Sequence, residues 1–477
     1  MDNGSQLSAA IKILDIDLSP VAQKIAQGVK LPIVTQVTAA RPGALCEEII
    51  AALEKRATSI DKESLFADYT LTMFKGGEQK IEYGESVAGH QVFLVLDFPT
   101  LDEKSVPPEF YELASTTFLN NYLHLAKQAA EAARAAGAAE VHLIMPNHAD
   151  ARQDQRHGER GPATVAIVAR ELADFFDSIT CLHLHAPQIE GIYAALGKLF
   201  RNLSPNEIHG PGFVCRDPDT LQPILPKAVT LEGVTRLLNR VCVASPDVGG
   251  AKVARNFIKY CRRLAAAIVY ENTQSNNAPL AEGAQFIPSL IKHYVKLAAA
   301  ALARNPQALS FENLLKAMPD IPLVIVDKSR PSANVSEIVN VLGIEFAKGR
   351  DCTLFDDMGD GLGTMINAAE ALIDAGASTA EGRVSHGYFS GDALKLITDS
   401  RIKQVVVGNG MALRPSVLEH PKIQVISLAP AFAQVIVDMA TKPTANVTFA
   451  ARHTHDPHFR KLSGRFAGPM LGSLNQS

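Results

Sequence analysis

Residues 353–364 read Thr-Leu-Phe-Asp-Asp-Met-Gly-Asp-Gly-Leu-Gly-Thr, and this stretch decides which fold the chain is expected to adopt. An apolar run ends in two adjacent carboxylates, Asp356 and Asp357, and a third, Asp360, precedes a glycine-rich turn. Beyond the turn, apolar residues recur at helical spacing until Gly376. The stretch therefore predicts a strand, a turn and a helix, a layout that directs backbone N–H groups at a phosphate.

The carboxylates at the end of this strand suit a sugar as well as a metal. Sugar hydroxyls donate hydrogen bonds to carboxylates, and a hydrated Mg²⁺ accepts carboxylate ligands. A phosphorylated sugar, held by its phosphate and its hydroxyls, is the ligand that this chemistry indicates. A surface turn with solubilising carboxylates is the alternative, and for this motif taken alone it is the better explanation.

Short apolar runs elsewhere in the chain have the length of buried strands, and helical patterns separate many of them. The strand-like runs are 92–96, 141–145, 241–244, 323–326, 353–355 and 405–407. The helical patterns cover 125–136, 163–176 and 251–264. This alternation predicts an α/β fold with mostly parallel sheets, whose ligands bind at the carboxyl ends of the strands. Because the strand–turn–helix unit recurs in both halves, a duplicated domain is also compatible with the pattern.

The composition is that of a soluble globular protein and bounds the possible functions. The 477 residues are 47% apolar and 20% charged, with a net charge of −4, which argues against a sequence-independent nucleic-acid binder. The N-terminus lacks a basic segment followed by an apolar one, and no apolar run reaches membrane-spanning length. A cytoplasmic location is therefore expected. The six scattered cysteines contain no Cys-x-x-Cys pair, which favours buried free thiols over disulfides or zinc.

Two further motifs follow apolar runs. In 181–191, His183 and His185 alternate with apolar residues, so in a strand both imidazoles would point to one face. That arrangement suits a metal, but a hydrogen-bonded polar face is its commoner meaning. In 243–252, Asp247 ends an apolar run and is followed by Gly249-Gly250, which lets the backbone approach a ligand or simply makes a tight turn.

Two basic motifs complete the set. Lys328 and Arg330 alternate beyond an apolar run, so a mobile loop could carry both to a polyphosphate and neutralise its charge. The segment 151–162 contains Arg152, Arg156 and Arg160, a density that suits anion binding. An exposed charged turn is the alternative for each. A terminal cluster of His453, His455 and His458 has metal-like spacing, but short histidine clusters are common in terminal segments by chance.

Together these motifs resemble the ribose-phosphate pyrophosphokinase (phosphoribosyl pyrophosphate synthetase) family, in the same order along about residues 70–450. The joint match is far more specific than any one motif. The segments that carry it are 73–78, 151–154, 184–191, 245–252, 327–335, 356–364 and 385–393.

The resemblance implies a role for each matching residue. His185 and Asp247 would ligate the Mg²⁺ of Mg-ATP, and Lys328 with Arg330 would stabilise the transferring pyrophosphoryl group. Ribose 5-phosphate would be held by Asp356, Asp357, Asp360, Gly363 and Thr364. ATP would contact Arg152, Gln153 and Asp154, together with Phe74 and Glu78 of a neighbouring subunit.

The resemblance also implies two phosphoribosyltransferase-like α/β domains, related by a pseudo-twofold, in a homo-oligomer (dimer or hexamer). We expect an N-terminal domain over 1–200, a C-terminal domain over 201–447 and a C-terminal strand and tail over 448–477. The 81 positions from Asp247 to Lys328 exceed the family's spacing, so about 272–320 is expected to be a helical insert.

Some residues depart from the family pattern. His183 stands where the family usually has Asp, and Gly76 replaces an Asp or Asn of the ATP-contacting segment. Gly361 replaces a Thr and so removes one hydroxyl at the phosphate. The segment 147–150 replaces a more aromatic stretch.

The expected activity is Mg²⁺-dependent pyrophosphoryl transfer from ATP to ribose 5-phosphate, which gives phosphoribosyl pyrophosphate and AMP. A non-catalytic regulatory paralogue that binds an active synthetase or nucleotides is the main alternative. The departures favour the paralogue, whereas the retained His185, Asp247, Lys328 and Arg330 favour the enzyme. A phosphoribosyltransferase is a third possibility; it explains the acidic loop at 356–360 but not the other motifs. Neither a nucleic acid nor a membrane is an expected partner.

Overall fold

The structure is a computed structural model that describes residues 11–15, 45–54, 67, 69–75, 78–84, 86–98, 100, 111–156, 160–274, 311–332 and 335–441. Gly76, most of the proposed insert and the tail histidines lie outside these residues. None of the helices that the structure describes is both long and apolar enough to cross a membrane.

The first half of the chain alternates strands and helices. Its elements are β1 (Ile11–Asp15), α1 (Leu45–Glu54), β2 (Tyr69–Met73), β3 (Gln79–Tyr83), β4 (Gln91–Val95), α2 (Tyr111–Ala135), β5 (Glu140–Ile144), α3 (Thr164–Phe175), β6 (Ser178–Leu182), α4 (Gln188–Ala195), β7 (Leu199–Leu203), α5 (Pro205–His209) and α6 (Pro211–Val214).

The second half continues the alternation. Its elements are α7 (Leu231–Arg240), β8 (Val241–Ser245), α8 (Ala251–Gln274), α9 (Phe311–Ala317), β9 (Leu323–Ser332), β10 (Val335–Leu342), β11 (Asp351–Gly359), α10 (Gly363–Asp374), β12 (Thr379–Gly387), α11 (Ala393–Asp399), β13 (Gln404–Gly408), α12 (Pro415–Leu418), β14 (Ile423–Ile426) and α13 (Ala429–Thr441).

A five-stranded parallel sheet organises the first half, in the order β1-β4-β5-β6-β7. Parallel strands that follow one another in chain order need right-handed crossovers, which place their connecting helices on one face. Accordingly, α2, α3 and α4 contribute to a single core with Val92 and Leu94 of β4. The alternate residues Phe93 and Val95 face a different core.

That second core joins the two ends of the described chain. Its members come from α1 and from the last helix, α13, which supplies Phe432 and Ile436. The C-terminal helix therefore returns to cover the open face of the first sheet. The expected domain limits at 200 and 447 stay predictions, with β7 running across the first of them.

A seven-stranded sheet organises the second half, in the order β10-β9-β8-β11-β12-β13-β14. All neighbours are parallel except β9 and β10, which form an antiparallel hairpin. From β8 the chain moves outward to β9 and β10, and then returns to place β11 on the other side of β8. The order thus reverses between β8 and β11, and ligands of open α/β sheets bind at the carboxyl ends of strands at such a point.

The predicted strands and helices are present, and the fold class, α/β with mostly parallel sheets, is confirmed. All six cysteines are free and buried, as expected. Two local predictions are wrong. The strand β6 ends at Leu182 and His183 has a left-handed φ of 46°, so His183 and His185 do not alternate along a strand. The segment after Val326 is not a loop, because β9 continues to Ser332 by pairing with β10.

Candidate active site

Carboxylates gather where the second sheet reverses its order. The register pairs Ala244 of β8 with Leu354 of β11, so both strands end at the same edge of the sheet. Asp247 follows β8, and Asp356 lies near the end of β11. Burial raises the pKa of Asp356 well above its usual value, and the neighbouring carboxylates of Asp357 and Asp247 raise it further. The two acidic motifs predicted from the sequence are therefore brought together.

An imidazole from the first half approaches these acids. The Nδ1 atom of His185 lies 2.7 Å from the Oδ2 atom of Asp357. This hydrogen bond outweighs burial and raises the pKa of His185. Burial opposes ionisation of Asp357, but the bond to His185 and the charge of the imidazoles prevail and lower its pKa. The pair is an ion pair when His185 is protonated.

The arginine-rich motif reaches the same loop from the first half. The Nη1 atom of Arg152 donates to the Oδ2 atom of Asp360 at 2.6 Å, and the Ser390 hydroxyl donates to the other carboxylate oxygen of Asp360. Asp154 accepts a hydrogen bond from the Gln188 side chain. The motifs at 151–154 and 356–360, separated in sequence, therefore form one cluster of charged side chains.

The turn between β11 and α10 gives the helix no side-chain cap at its N-terminus. Leu362, at the N-cap, has a φ of 58° and a buried side chain, and it carries no oxygen that could cap the helix. The N–H groups of the first turn of a helix lack intrahelical partners and favour negative charge. A left-handed leucine costs roughly 1–2 kcal/mol, and burial of its side chain among apolar residues offsets that strain. Gly363 and Thr364 begin the helix.

Two pairs of predicted site residues lie in hairpins. Lys328 and Arg330 occupy alternate positions of β9, which runs parallel to β8 before it pairs with β10. Phe74 and Glu78 close the β2–β3 hairpin, where the Phe74 N–H donates to the Glu78 carbonyl at 2.9 Å. Phe74 is 49% exposed. Within the described residues, no side-chain hydrogen bond or ion pair connects Phe74 or Glu78 to the other predicted site residues.

Sequence reasoning missed the contacts that the last residues of β12 supply. The resemblance covered 385–393 but gave it no role. Ser385 and His386 contact the first half, through His183 Nδ1 at 2.7 Å and the Leu182 carbonyl at 2.8 Å. His183 is thus a buried bridging residue, and burial lowers its pKa to about 4. The sequence did not indicate that His183 would contact Ser385 while His185, two positions later, contacts Asp357.

The donor set fits a magnesium ion that arrives with a phosphate ligand. In the described part of the chain, no cluster of three or more His, Cys, Asp or Glu side chains is placed to hold a metal by itself. Mg²⁺ usually takes one or two carboxylates, substrate phosphates and water. Asp247 and Asp356 are close enough to repel each other, and a cation beside them would relieve that repulsion.

The fold and the site define a class. A mostly parallel α/β sheet places carboxylates, an arginine and the N-terminus of a helix at its reversal point, as expected of a protein that handles phosphorylated ligands. Residues 38–175 match the sequence model of the N-terminal domain of ribose phosphate pyrophosphokinase, and residues 237–444 match the phosphoribosyl synthetase-associated domain. The chain belongs to the ribose-phosphate pyrophosphokinase (phosphoribosyl pyrophosphate synthetase) family, as its motifs predicted.

Relatives in this family are similar along most of their length. A ribose-phosphate pyrophosphokinase of Caldanaerobacter subterraneus is 29% identical over 372 residues, which cover 78% of this chain and 86% of that protein. One from Helicobacter hepaticus is 27% identical over 381 residues, covering 80% of this chain and 90% of that protein. The crystal structure of phosphoribosylpyrophosphate synthetase from Mycobacterium smegmatis is similar in fold. Its TM-score is 0.51 at 20% identity, over 82% of this chain and 94% of that one.

Proposed function

We propose that the protein transfers the pyrophosphoryl group of ATP to the C1 hydroxyl of ribose 5-phosphate, giving phosphoribosyl pyrophosphate and AMP. One observation carries the proposal: side chains from four separate motifs meet at the reversal point of the second sheet. They are Arg152, His185, Asp247 and the acids of the 356–360 loop. The relatives are named for this activity.

In the proposed reaction, the C1 oxygen of the sugar forms a bond to the β-phosphorus of ATP. The bond between the β-phosphorus and the bridging α–β oxygen breaks, that oxygen leaves with AMP, and the proton of the C1 hydroxyl is released to solvent. The protein positions the reactants and neutralises charge. Asp356, Asp357 and Asp360 would accept hydrogen bonds from sugar hydroxyls, while the N–H groups at Gly363 and Thr364 would hold the 5-phosphate.

The nucleotide would lie between the two halves. Arg152, Gln153 and Asp154 would hold it, with Phe74 and Glu78 supplied by a neighbouring subunit of a homo-oligomer. When bound, Mg²⁺ would neutralise charge on the phosphates, with His185 and Asp247 as its protein ligands. Lys328 and Arg330 would stabilise the pyrophosphoryl group during transfer. The strand β9 pairs with β8 at Leu323, Val324 and Ile325, a few positions before Lys328, and β8 leads to Asp247.

The basic pair gives the sharpest test. Formation of AMP would be measured from ATP, ribose 5-phosphate and Mg²⁺, with the wild type, Lys328→Ala and the control Lys395→Ala. Lys395 is exposed and pairs with Asp399 on the surface of α11. Loss of Lys328 should lower kcat by roughly 10²–10³, by analogy with the loss of single transition-state donors. Equal turnover in both variants would remove β9 from the mechanism.

A regulatory paralogue is the second candidate, and the departures at Gly361 and His183 favour it. Gly361 gives no side-chain hydroxyl to the phosphate loop, and His183 is engaged with Ser385. Such a protein would bind nucleotide or an active synthetase without forming AMP. An absence of AMP from the wild type, together with measurable binding of Mg-ATP by calorimetry, would select this alternative over the enzyme.

A further inference from the structure

The segment that follows β12 joins the two halves of the molecule beside the candidate site. The ring of Tyr388 packs against the core of the first half, although the strand that it follows, β12, belongs to the second sheet. Met411, which follows β13, is a member of that same first-half core. The two halves therefore share side chains at this edge instead of meeting only through solvent-exposed contacts.

Tyr388 makes the connection through both its backbone and its side chain. Its N–H donates to the carbonyl of Gly359, at the end of β11, at 2.8 Å. Its hydroxyl accepts a hydrogen bond from the Nδ2 atom of Asn147 at 2.6 Å. Gly359 immediately precedes Asp360, and Asn147 lies five positions before Arg152. One residue is thus bonded to the segments that carry both members of the Arg152–Asp360 ion pair.

The surroundings of Tyr388 agree with that placement. Asn147 is only 2% exposed, so its amide depends on internal partners. Burial raises the pKa of Tyr388, and the charges of Asp360 and Arg152 act on its hydroxyl with opposite signs. The hydroxyl is therefore neutral at physiological pH and lies within electrostatic reach of the ion pair.

We propose that Tyr388 and Asn147 are positioning residues. They hold the loop 356–364, which is proposed to bind the sugar phosphate, in a fixed position relative to the segment 151–154. The inference rests on the proposed function for the identity of the two ligands. The joint between the halves, meaning the hydrogen bond between Tyr388 and Asn147, does not depend on that function. Asn147 begins the stretch that departs from the more aromatic family pattern. In this protein the aromatic ring of Tyr388, which comes from the second half, packs against the core of the first half.

The test compares two tyrosines that each lose one hydroxyl. Tyr388→Phe breaks the hydrogen bond to Asn147, which joins the two halves, whereas Tyr193→Phe breaks a 2.8 Å bond to His148 within the first half. Hydrogen–deuterium exchange would be followed in peptides covering 147–156 and 356–364. Tyr388→Phe should increase exchange in both peptides by about threefold or more, and Tyr193→Phe should leave 356–364 unchanged. Unchanged exchange at 356–364 in Tyr388→Phe would overturn the proposal.

Kinetics separates positioning from general destabilisation. The loss of one hydrogen bond corresponds to about a fivefold effect, so Tyr388→Phe should raise the KM for ribose 5-phosphate by about fivefold. The kcat at saturation should change by less than about twofold. Asn147→Ala should give the same pattern, and the double variant should be no worse than either single variant. Additive effects, or a fall in kcat with an unchanged KM, would contradict the proposal.

The exchange experiment also distinguishes a failure of the proposed function from a failure of the positioning role of Tyr388. If the wild type forms no AMP, the proposed function fails, while the exchange pattern of Tyr388→Phe still decides whether the joint exists. If the wild type is active and the two tyrosine variants behave alike in both measurements, the joint fails and the proposed function stands.

Discussion

The Nδ1 atom of His185 lies 2.7 Å from the Oδ2 atom of Asp357, although the two residues are 172 positions apart. His185 lies three positions after the end of β6 in the first sheet, and Asp357 belongs to β11 in the second. The contact is therefore one of several hydrogen bonds that join the two halves at the candidate site. Both residues were predicted from the sequence, but for different ligands, a metal for His185 and a sugar for Asp357.

Asp357→Asn should weaken this junction without changing its shape. The amide cannot form the charge-assisted bond, which is worth about 1.5–3 kcal/mol, so kcat/KM for ribose 5-phosphate should fall by roughly 10- to 100-fold. Steady-state AMP formation measures the effect, and Asp399→Asn serves as an exposed control in α11. If Asp357→Asn matches the wild type, the sugar does not depend on this carboxylate.

Gly361→Thr should be accepted by the fold and should improve binding of the sugar phosphate. A Cβ atom at Gly361 would have no heavy atom within 4 Å, and Gly361 is not among the glycines with a left-handed backbone. The added hydroxyl could donate to the phosphate, so the KM for ribose 5-phosphate should fall by about fivefold. The melting temperature should stay within about 2 °C of the wild type, since surface substitutions rarely exceed 0.5 kcal/mol.

A nearby glycine provides the contrast to Gly361. A Cβ at Gly387 would lie 2.3 Å from Cε2 of Phe389, an aromatic ring that is fully buried. Gly387→Ala should therefore destabilise the protein by about 1–3 kcal/mol through overpacking. Equal melting temperatures for Gly387→Ala and Gly361→Thr would contradict the close packing of Phe389 against Gly387.

A buried ion network under the second sheet makes stability depend on pH. Glu381 accepts hydrogen bonds from Arg383 at 2.9 Å and from Arg216 at 2.9 and 3.1 Å, and all three side chains are at most 8% exposed. Burial opposes ionisation of Glu381, but the two guanidinium groups prevail and lower its pKa below the ordinary value of 4.5. The network contributes stability that is fully present above pH 4.5 and is lost as the pH falls through the lowered pKa.

Glu381→Gln should leave two buried cations without their carboxylate. Loss of one partner from a buried pair costs about 3–5 kcal/mol, so the free energy of unfolding at pH 7 should fall by that amount in urea titrations. The difference between variant and wild type should shrink below pH 4.5, because protonation removes the same charge from the wild type. A difference that stays constant from pH 7 to pH 3 would contradict the lowered pKa of Glu381.

The sequence predicted the parallel α/β architecture because the strands and helices that were placed from it each have a local signal. The run at 353–355 is apolar and the residues after Gly363 are periodic, so β11 and α10 could be placed without long-range information. Family resemblance supplied the roles of His185 and Asp247. Neither source could show the backbone reversal at His183, because a left-handed φ at a non-glycine residue depends on its tertiary contacts with Ser385 and Phe355.

Long-range packing was equally invisible in the sequence. The helix α13 has an ordinary apolar pattern that does not say which sheet it covers. The structure places it on the first sheet, against α1, although its chain neighbours belong to the second. Likewise, Tyr388 and Asn147 are unremarkable one at a time, and their bond exists only because two strands from different sheets end side by side.

The position of α13 predicts that the two halves unfold together. Phe432 is fully buried in the core formed by α1, α13 and one face of the first sheet. Phe432→Ala should lower the free energy of unfolding by about 3–5 kcal/mol, as expected for a large-to-small change in a core. Leu418→Ala, at a position 46% exposed, should change it by less than about 0.5 kcal/mol.

Amide exchange in one strand of each sheet would test whether the two halves unfold together. Exchange rates of amides in β4 and β13 should rise together in Phe432→Ala, because a helix that ends the second half also closes the core of the first. Wild type and Leu418→Ala should keep both strands protected. Loss of protection in β4 with β13 unaffected would mean that α13 belongs energetically to the first half alone, and the two halves would then be independent units of folding.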